Sequence, residues 1–109
     1  RNRVAEGVYD YDAIIYIASF PTPRAAAWRT LAMARAIENE AFVFAVNRTG
    51  DDIYCNYSGG SIVVDSFGDI LSDCGSDEAI ITTEIDMDTL KERRKGFPTL
   101  PDADLFNIE

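Results

Sequence analysis

Histidine is absent from the sequence, and cysteine occurs only twice, at Cys55 and Cys74. Without histidine, the sequence cannot form a Ser-His-Asp triad, and a metal site built on its aspartates would have to use oxygen ligands alone. Two cysteines without a CxxC spacing are also too few for a secreted disulfide scaffold. This usage favours a reducing compartment, so we expect a cytoplasmic protein.

Positive charge is scarce as well. The chain has 10 Lys and Arg residues against 19 Asp and Glu residues, which gives a formal net charge of −9. Such a chain repels phosphate backbones, so nucleic acid is not an expected partner. No apolar run approaches the length of a membrane span, so a membrane is not an expected partner either. With 109 residues of which 47% are hydrophobic, the chain is long enough to form one core.

Neither cysteine is placed like a nucleophile. A reactive thiol needs an activating base nearby, whereas Cys55 lies in a polar loop and Cys74 in an aspartate-rich turn. The aspartates at 51–52 and 86–88 lack the spacing of an EF-hand, and turn carboxylates are usually solvated. We therefore predict no catalytic residue, no metal site and no cofactor within this sequence.

The clearest structural pattern lies in the first half of the chain. Consecutive apolar residues predict strands at 12–18 and 42–46 that are buried on both faces, and residues 24–40 predict a helix between them. Prolines end the first strand, and Thr22 is placed to cap the helix. Two strands joined by a crossover helix normally form a parallel, right-handed unit. The apolar stripe expected to face the core consists of Trp28, Leu31, Ala34, Ile37 and Ala41.

The second half alternates between turns and short apolar runs. Residues 47–60 predict a polar loop that is long enough to line a site. Residues 61–71 predict a hairpin in which Gly68 supplies a positive φ at the turn. Residues 79–85 predict a further strand of the same sheet.

The end of the chain carries one more helix signal. Asp86 or Asp88 is placed to cap a helix that ends near Lys95 and is closed by Gly96. Residues 97–109 contain apolar side chains without a period, and we expect them to lie extended over another surface.

Four motifs resemble the C-terminal half of the nitrilase superfamily of carbon-nitrogen hydrolases. They are RAIEN at residues 35–39, FVFAVNRTG at 42–50, YSGGSIVVDSFG at 57–68 and FPTLPDADLF at 97–106. The last motif is similar to the ending of the ω-amidase branch of that family. The resemblance covers essentially the whole chain.

The resemblance implies an α/β fold, namely half of an αββα sandwich with a mixed sheet and helices on one face. Residues 1–109 would then be the C-terminal part of a single hydrolase domain. The family cleaves small ω-amides to a carboxylate and ammonia with a Glu base, a Lys that holds the oxyanion and a Cys nucleophile. All three are expected upstream of Arg1, so the catalytic set would be absent from this sequence.

The resemblance also assigns roles to five residues of this chain. In the family, the loop that follows the first strand borders the substrate, and Ser19, Phe20 and Pro21 match it, although Ser19 and Phe20 depart from the family's usual residues. Phe20 could instead be a core residue. Arg35 and Glu38 match a buried pair that braces the strand ends, and the alternative is a partly exposed i,i+3 pair worth about 0.3 kcal/mol.

The expected partners are a small amide substrate and further copies of the chain. Family members commonly dimerise through the helix that matches residues 24–40, so we expect a homodimer or a higher homo-oligomer. Half of a sandwich would also expose an apolar sheet face when isolated. The alternative hypothesis is a non-catalytic α/β interaction module that acts on its own.

Overall fold

The computed structural model describes residues 1–102. This part of the chain forms eight strands and two helices, with a 3₁₀ turn before α1 at Thr22–Arg24 and another at Leu100–Asp102. They are β1 Val4–Ala5, β2 Val8–Tyr9, β3 Ala13–Ala18, α1 Ala25–Asn39, β4 Phe42–Asn47, β5 Thr49–Asp51, β6 Asn56–Ser58, β7 Ile62–Val64, β8 Ile70–Asp73 and α2 Met87–Gly96.

The main sheet has four strands in the order β3-β4-β7-β8. β3 and β4 run parallel because α1 carries the chain back across the sheet, and the other pairs are antiparallel. In this register Tyr16 lies beside Ala45, and Ala18 lies beside Asn47. The sheet is therefore mixed and α1 packs on one face, which confirms the expected fold class.

The core lies between α1 and the main sheet. Its buried members are Val43, Ala45, Ile62 and Val64 from the sheet and Ala32 and Ala36 from the helix, and Trp28 and Met33 of the helix pack against them. Alanines face the sheet because their small side chains let the helix approach closely, while the strands supply most of the apolar volume.

The predicted helix stripe was wrong in part: Trp28 packs against the core and Ala41 is buried, as predicted, but Leu31 and Ile37 do not form the contact. Leu31 and Ile37 are 46% and 45% exposed, whereas Ala32 and Ala36 are buried. These two larger residues flank the line of contact instead of forming it.

The other face of the main sheet is open along β3. Side chains alternate along this strand, so Ile14 and Tyr16 pack toward the core while Ile15 and Ile17 are 64% and 85% exposed. The prediction that this strand is buried on both faces was wrong, because no described element covers the second face. An exposed apolar face of this kind was expected for half of a sandwich.

The hairpin of β7 and β8 forms as predicted. Gly68 has φ +87°, and a Cβ at this position would lie 2.7 Å from Cδ1 of Ile37. Only glycine meets both requirements of this turn, the left-handed backbone and the close approach to α1.

The strand predicted at 79–85 does not form. Ile80 is fully exposed, and the segment is attached through its Thr83 hydroxyl, 2.7 Å from the hydroxyl of Ser72. Its β-branched residues favoured a strand, but the backbone forms no ladder with β8.

α2 begins as predicted, with the Asp86 carboxylate accepting hydrogen bonds from the backbone N–H groups of Asp88 and Thr89. In the tail, Leu100 is buried. Residues 103–109, which carry the rest of the predicted extended tail, lie outside the described part of the chain. Neither described helix combines the length and apolar character needed to cross a membrane.

Candidate functional site

The loop predicted to border the substrate lies where two parallel strands end. β3 ends at Ala18, next to Asn47 at the end of β4, and residues 19–21 follow directly. In sheets with parallel strands, ligands usually bind beyond the carboxyl ends of the strands. The location therefore suits a binding loop.

The side-chain amide of Asn47 fixes the backbone of this loop. Its Oδ1 accepts a hydrogen bond of 2.7 Å from the N–H of Phe20, and its Nδ2 donates to the Phe20 carbonyl at 2.9 Å. The same Nδ2 donates to the Gly59 carbonyl at 2.8 Å. Both N–H bonds and the oxygen of the amide are thus used within the protein.

The main chain of Asn47 is fixed as well. Its N–H donates to the Ser61 hydroxyl at 2.9 Å, and that hydroxyl donates to the Asn47 carbonyl at 3.2 Å. β4, the start of β7 and the loop after β3 therefore meet at one residue. Asn47 was not among the residues predicted for the site; its position directly after a buried strand and before a glycine-containing loop was the available signal.

The ring of Phe20 stands against Trp28 of α1. The two ring centroids are 5.4 Å apart in an edge-to-face arrangement, and the indole N–H of Trp28 donates to the Gly60 carbonyl at 2.8 Å. Phe20 is half-buried and forms part of the wall of a cavity of about 280 Å³ between α1 and β3. The residues that line this cavity are Tyr16, Ala18, Phe20, Trp28, Leu31, Ala32, Arg35 and Ala45.

Ser19 is exposed and Pro21 is half-buried beside Phe20. The loop therefore presents one hydroxyl group and one aromatic ring near the strand ends. Such groups can shape a pocket and form a hydrogen bond with a small polar molecule, but they supply neither a nucleophile nor a base. The substrate-binding role of the three residues stays a prediction.

A hairpin of β5 and β6 stands beside the loop. Thr22 does not cap α1 as predicted; its hydroxyl instead lies 2.7 Å from Oδ1 and 2.9 Å from the carbonyl oxygen of Asn56 in β6. The prediction failed because a 3₁₀ turn begins at Thr22 and α1 starts only at Ala25, so the Thr22 hydroxyl binds acceptors on the neighbouring hairpin instead.

The tip of the hairpin is held by Asp52. Its carboxylate accepts hydrogen bonds from the backbone N–H groups of Tyr54 and Cys55 and from the Tyr57 hydroxyl. These bonds, led by the one from Tyr54, hold the pKa of Asp52 below its ordinary value. The guanidinium of Arg48 lies 4.3 Å from the centre of the Tyr57 ring and packs the two strands together.

Arg35 and Glu38 form the expected ion pair, with a distance of 2.8 Å, but their side chains are 42% and 56% exposed. The prediction that this pair is buried was wrong. The two residues lie on the outer flank of α1, where water screens their charges. Their role in bracing the strand ends stays a prediction.

Glu40, the residue that ends α1, carries a fully buried carboxylate. Its φ of +48° ends α1 in a left-handed turn that points the side chain inward. Oε1 accepts from the hydroxyl and the N–H of Thr99 at 2.7 and 2.9 Å, and Arg93 lies 3.4 Å away. Oε2 accepts from the Tyr9 hydroxyl at 2.9 Å. Sequence offered one signal: an acidic residue at the end of a helix opposes the helix dipole and needs other partners.

Burial and hydrogen bonding act in opposite directions on the pKa of Glu40. Burial, the largest single effect, raises the pKa, while hydrogen bonds from Thr99 and Tyr9 and the charge of Arg93 lower it. The net result is a pKa below the ordinary value, so Glu40 is ionised at neutral pH. Burial and the Glu40 carboxylate together raise the pKa of Tyr9 to about 12.

The mixed sheet with a helix on one face and a fixed loop beyond its strand ends defines an α/β protein, and the comparison with family models names its family. The carbon-nitrogen hydrolase model matches residues 8–95, and the chain belongs to that family. The resemblance drawn from the four motifs is thereby confirmed.

Individual relatives narrow the comparison. The chain is 42% identical over 101 residues to the ω-amidase YafV of Escherichia coli, covering 91% of this chain and 40% of the relative. It is 39% identical over 85 residues to the 2-oxoglutaramate amidase of Bacillus subtilis, covering 78% of this chain and 33% of the relative. A crystal structure of a CN-hydrolase superfamily protein from Xanthomonas campestris matches with a TM-score of 0.92 and 41% identity, over 100% of this chain and 43% of that one. The chain thus spans less than half the length of these relatives.

Proposed function

We propose that this chain forms the part of an amidase domain that shapes one end of the substrate pocket, in an enzyme that hydrolyses a small ω-amide. The observation that carries the proposal is the identity of 42% to an ω-amidase over 91% of the chain. The geometry supports it, because the loop at residues 19–21 is fixed beyond the ends of two parallel strands.

The nucleophile, the base and the oxyanion lysine would come from sequence outside these 109 residues. In the proposed reaction, the thiolate attacks the amide carbon, the tetrahedral intermediate expels ammonia after proton transfer, and a thioester remains. Water activated by the base then attacks the thioester and releases the carboxylate and the thiol. No cofactor takes part in these steps.

The described residues would bind and position the substrate. Phe20 would form an aromatic wall, and the exposed hydroxyl of Ser19 would offer a hydrogen bond near the strand ends. Pro21 would fix the direction in which the loop enters the 3₁₀ turn. Arg35 and Glu38 would brace the strand ends without contacting the bond that is cleaved.

We expect the enzyme to be cytoplasmic and to assemble as a homodimer or a higher homo-oligomer. The exposed side chains of Leu31 and Ile37 on α1 support a subunit contact there, because large apolar residues on a surface helix favour association.

Ammonia release from 2-oxoglutaramate and succinamate tests the proposal. The 109-residue chain by itself should be inert, because losing the members of a cooperative catalytic set removes most of the rate enhancement. A longer protein that contains it should release ammonia, and Cys55→Ala and Cys74→Ala should leave that rate nearly unchanged. Turnover by the 109-residue chain, or a dead Cys55→Ala enzyme, would contradict these roles.

The mass of the natural gene product separates the amidase from the interaction module. A product of about twice this chain's mass or more fits the amidase, whereas a product of only 109 residues favours the module.

A further inference from the structure

Two asparagines make the same set of hydrogen bonds at opposite ends of β3. Oδ1 of Asn2 accepts from the N–H of Tyr11, and its Nδ2 donates to the carbonyls of Tyr11 and Asn39. Asn47 does the same beyond the other end of the strand, with the N–H and the carbonyl of Phe20. Each amide therefore holds the residue that flanks β3 by both of its backbone polar groups.

The two amides differ in where the residues they bind are located. Tyr11 lies before β3, at the end remote from the proposed substrate loop, whereas Phe20 is the central residue of that loop. Residues 19–21 lie outside the strand ladder, so the amide of Asn47 supplies the backbone hydrogen bonds that the sheet does not.

Phe20 belongs to a ring of contacts that runs through Asn47, the two glycines at 59–60 and Trp28. Asn47 holds its backbone and also binds Gly59, whose neighbour Gly60 accepts the indole N–H of Trp28, and Trp28 meets the Phe20 ring edge to face. Gly59 and Gly60 have φ of +70° and +78°, and a Cβ on Gly59 would lie 3.1 Å from the Gly75 carbonyl oxygen. The strand end, the glycine turn and α1 thus fix one aromatic side chain from three directions.

We propose that Asn47 is a positioning residue of the amidase, which sets the place of Phe20 against the substrate through this hydrogen-bond clamp. The inference rests on the proposed function of the loop. Because the oxygen and both N–H bonds of the amide bind the backbone of Phe20 and Gly59, Asn47 acts on substrate through the loop. The geometry requires a carboxamide, since it alone offers one acceptor to the N–H and two donors to the carbonyls at this length.

Amide hydrogen exchange tests the clamp without reference to activity. In Asn47→Ala, the exchange of the Phe20 N–H should accelerate roughly 5- to 10-fold, the factor that corresponds to one ordinary hydrogen bond. Asn2→Ala is the matched control, because it loses the same set of bonds but should accelerate exchange at Tyr11 and leave Phe20 unchanged. An unchanged Phe20 rate in Asn47→Ala, or equal effects of both variants at both sites, would overturn the clamp.

Steady-state kinetics of the complete enzyme tests whether Asn47 affects substrate binding. Asn47→Ala should lower kcat/KM by about 10- to 100-fold, the scale expected for a misplaced binding group. Most of the loss should be a higher KM, since the loop borders the substrate rather than the bond that breaks. Asn47→Asp gives a second variant that keeps the side-chain size but places a carboxylate oxygen against two carbonyl oxygens, and it should change KM in the same direction.

A double-mutant cycle with Phe20→Ala separates positioning from general loss of structure. If Asn47 acts through Phe20, Asn47→Ala should lower kcat/KM less in the Phe20→Ala background than in the natural one. The two factors should differ by roughly threefold or more. Additive effects would overturn the inference while leaving the amidase assignment intact. An enzyme without ω-amidase activity would instead refute the proposed function, and the exchange experiment would still decide whether the clamp exists.

Discussion

Replacing Glu40 by Gln removes a buried charge while keeping the size of the side chain. Glu40 is fully buried, and its carboxylate joins three distant parts of the chain, represented by Tyr9, Arg93 and Thr99. Glutamine can keep its carbonyl oxygen toward Thr99 and Arg93 and turn its NH₂ toward the Tyr9 hydroxyl. The hydrogen bonds can therefore persist, but each loses the help of the charge, and Arg93 loses its counterion.

The expected loss follows from these contacts. Hydrogen bonds to a charged group contribute about 1 kcal/mol more than neutral ones, and breaking a buried ion pair costs about 3–5 kcal/mol. Because the Arg93 side chain is only 10% exposed, little water compensates for the missing charge. We expect Glu40→Gln to lower the free energy of unfolding by about 2–4 kcal/mol.

Glu38→Gln is the matched control. Glu38 lies two residues earlier and also forms an ion pair, but the Arg35 and Glu38 side chains are 42% and 56% exposed. An exposed i,i+3 pair on a helix contributes about 0.3 kcal/mol, so the control should be nearly silent.

Urea unfolding followed by Trp28 fluorescence measures the difference. With a slope of roughly 2 kcal/mol per M for a small domain, the midpoint of Glu40→Gln should fall by roughly 1–2 M. Protein concentration must be equal in all samples, because self-association shifts apparent stability. Equal midpoints for Glu40→Gln and Glu38→Gln would refute the reasoning.

The pH dependence gives the same prediction a second test. The pKa of Glu40 is lowered in the folded state, so its stabilisation is present above the ordinary glutamate pKa of about 4.3 and is lost as pH falls through the folded value. The wild-type and Glu40→Gln unfolding free energies should therefore converge in acid. A constant difference down to the acid limit would contradict the assignment of the charge.

Three further outcomes are expected. Since the pKa of Tyr9 is raised to about 12, the free energy of unfolding should fall as pH rises from about 10 toward 12; Tyr9→Phe should make this loss smaller and should remove the tyrosinate absorbance step near pH 12. Gly68→Ala should cost at least about 2 kcal/mol in urea unfolding, because it adds a left-handed alanine and a contact with Ile37, and it should cost less in Ile37→Ala. Ile17→Lys, on the exposed sheet face, should reduce the association of the isolated chain in light scattering, and a monodisperse wild-type monomer would contradict this.

Local patterns predicted the elements whose causes are local. The βαβ unit follows from two apolar runs and a helical segment between prolines and Glu40, and the β7–β8 turn follows from Gly68. The face of α1 that packs on the sheet could not be read in this way. Alanines occur on several sides of the helix, so close packing on the strands, rather than apolar periodicity, selects Ala32 and Ala36.

The segment at 79–85 shows a different limit. Its isoleucines and threonines have high β propensity, yet a strand also requires a free edge in the right register. The described side-chain hydrogen bond between this segment and β8 joins the hydroxyls of Ser72 and Thr83. β propensity therefore predicted a strand, but the segment does not pair with the sheet.

The polar residues that organise the candidate site could not be deduced from residue pairs, because most of their partners are backbone atoms. Asn47 binds the main chain of Phe20 and Gly59, and any residue at those positions would offer the same N–H and carbonyl groups. Such contacts leave no complementary residue type for a sequence pattern to reveal. The residue that makes them is nevertheless informative, since only a carboxamide offers a hydrogen-bond acceptor and donors at once. An asparagine that directly follows a buried strand and precedes positive-φ glycines is therefore a candidate clamp, and the loop it holds is a candidate for function.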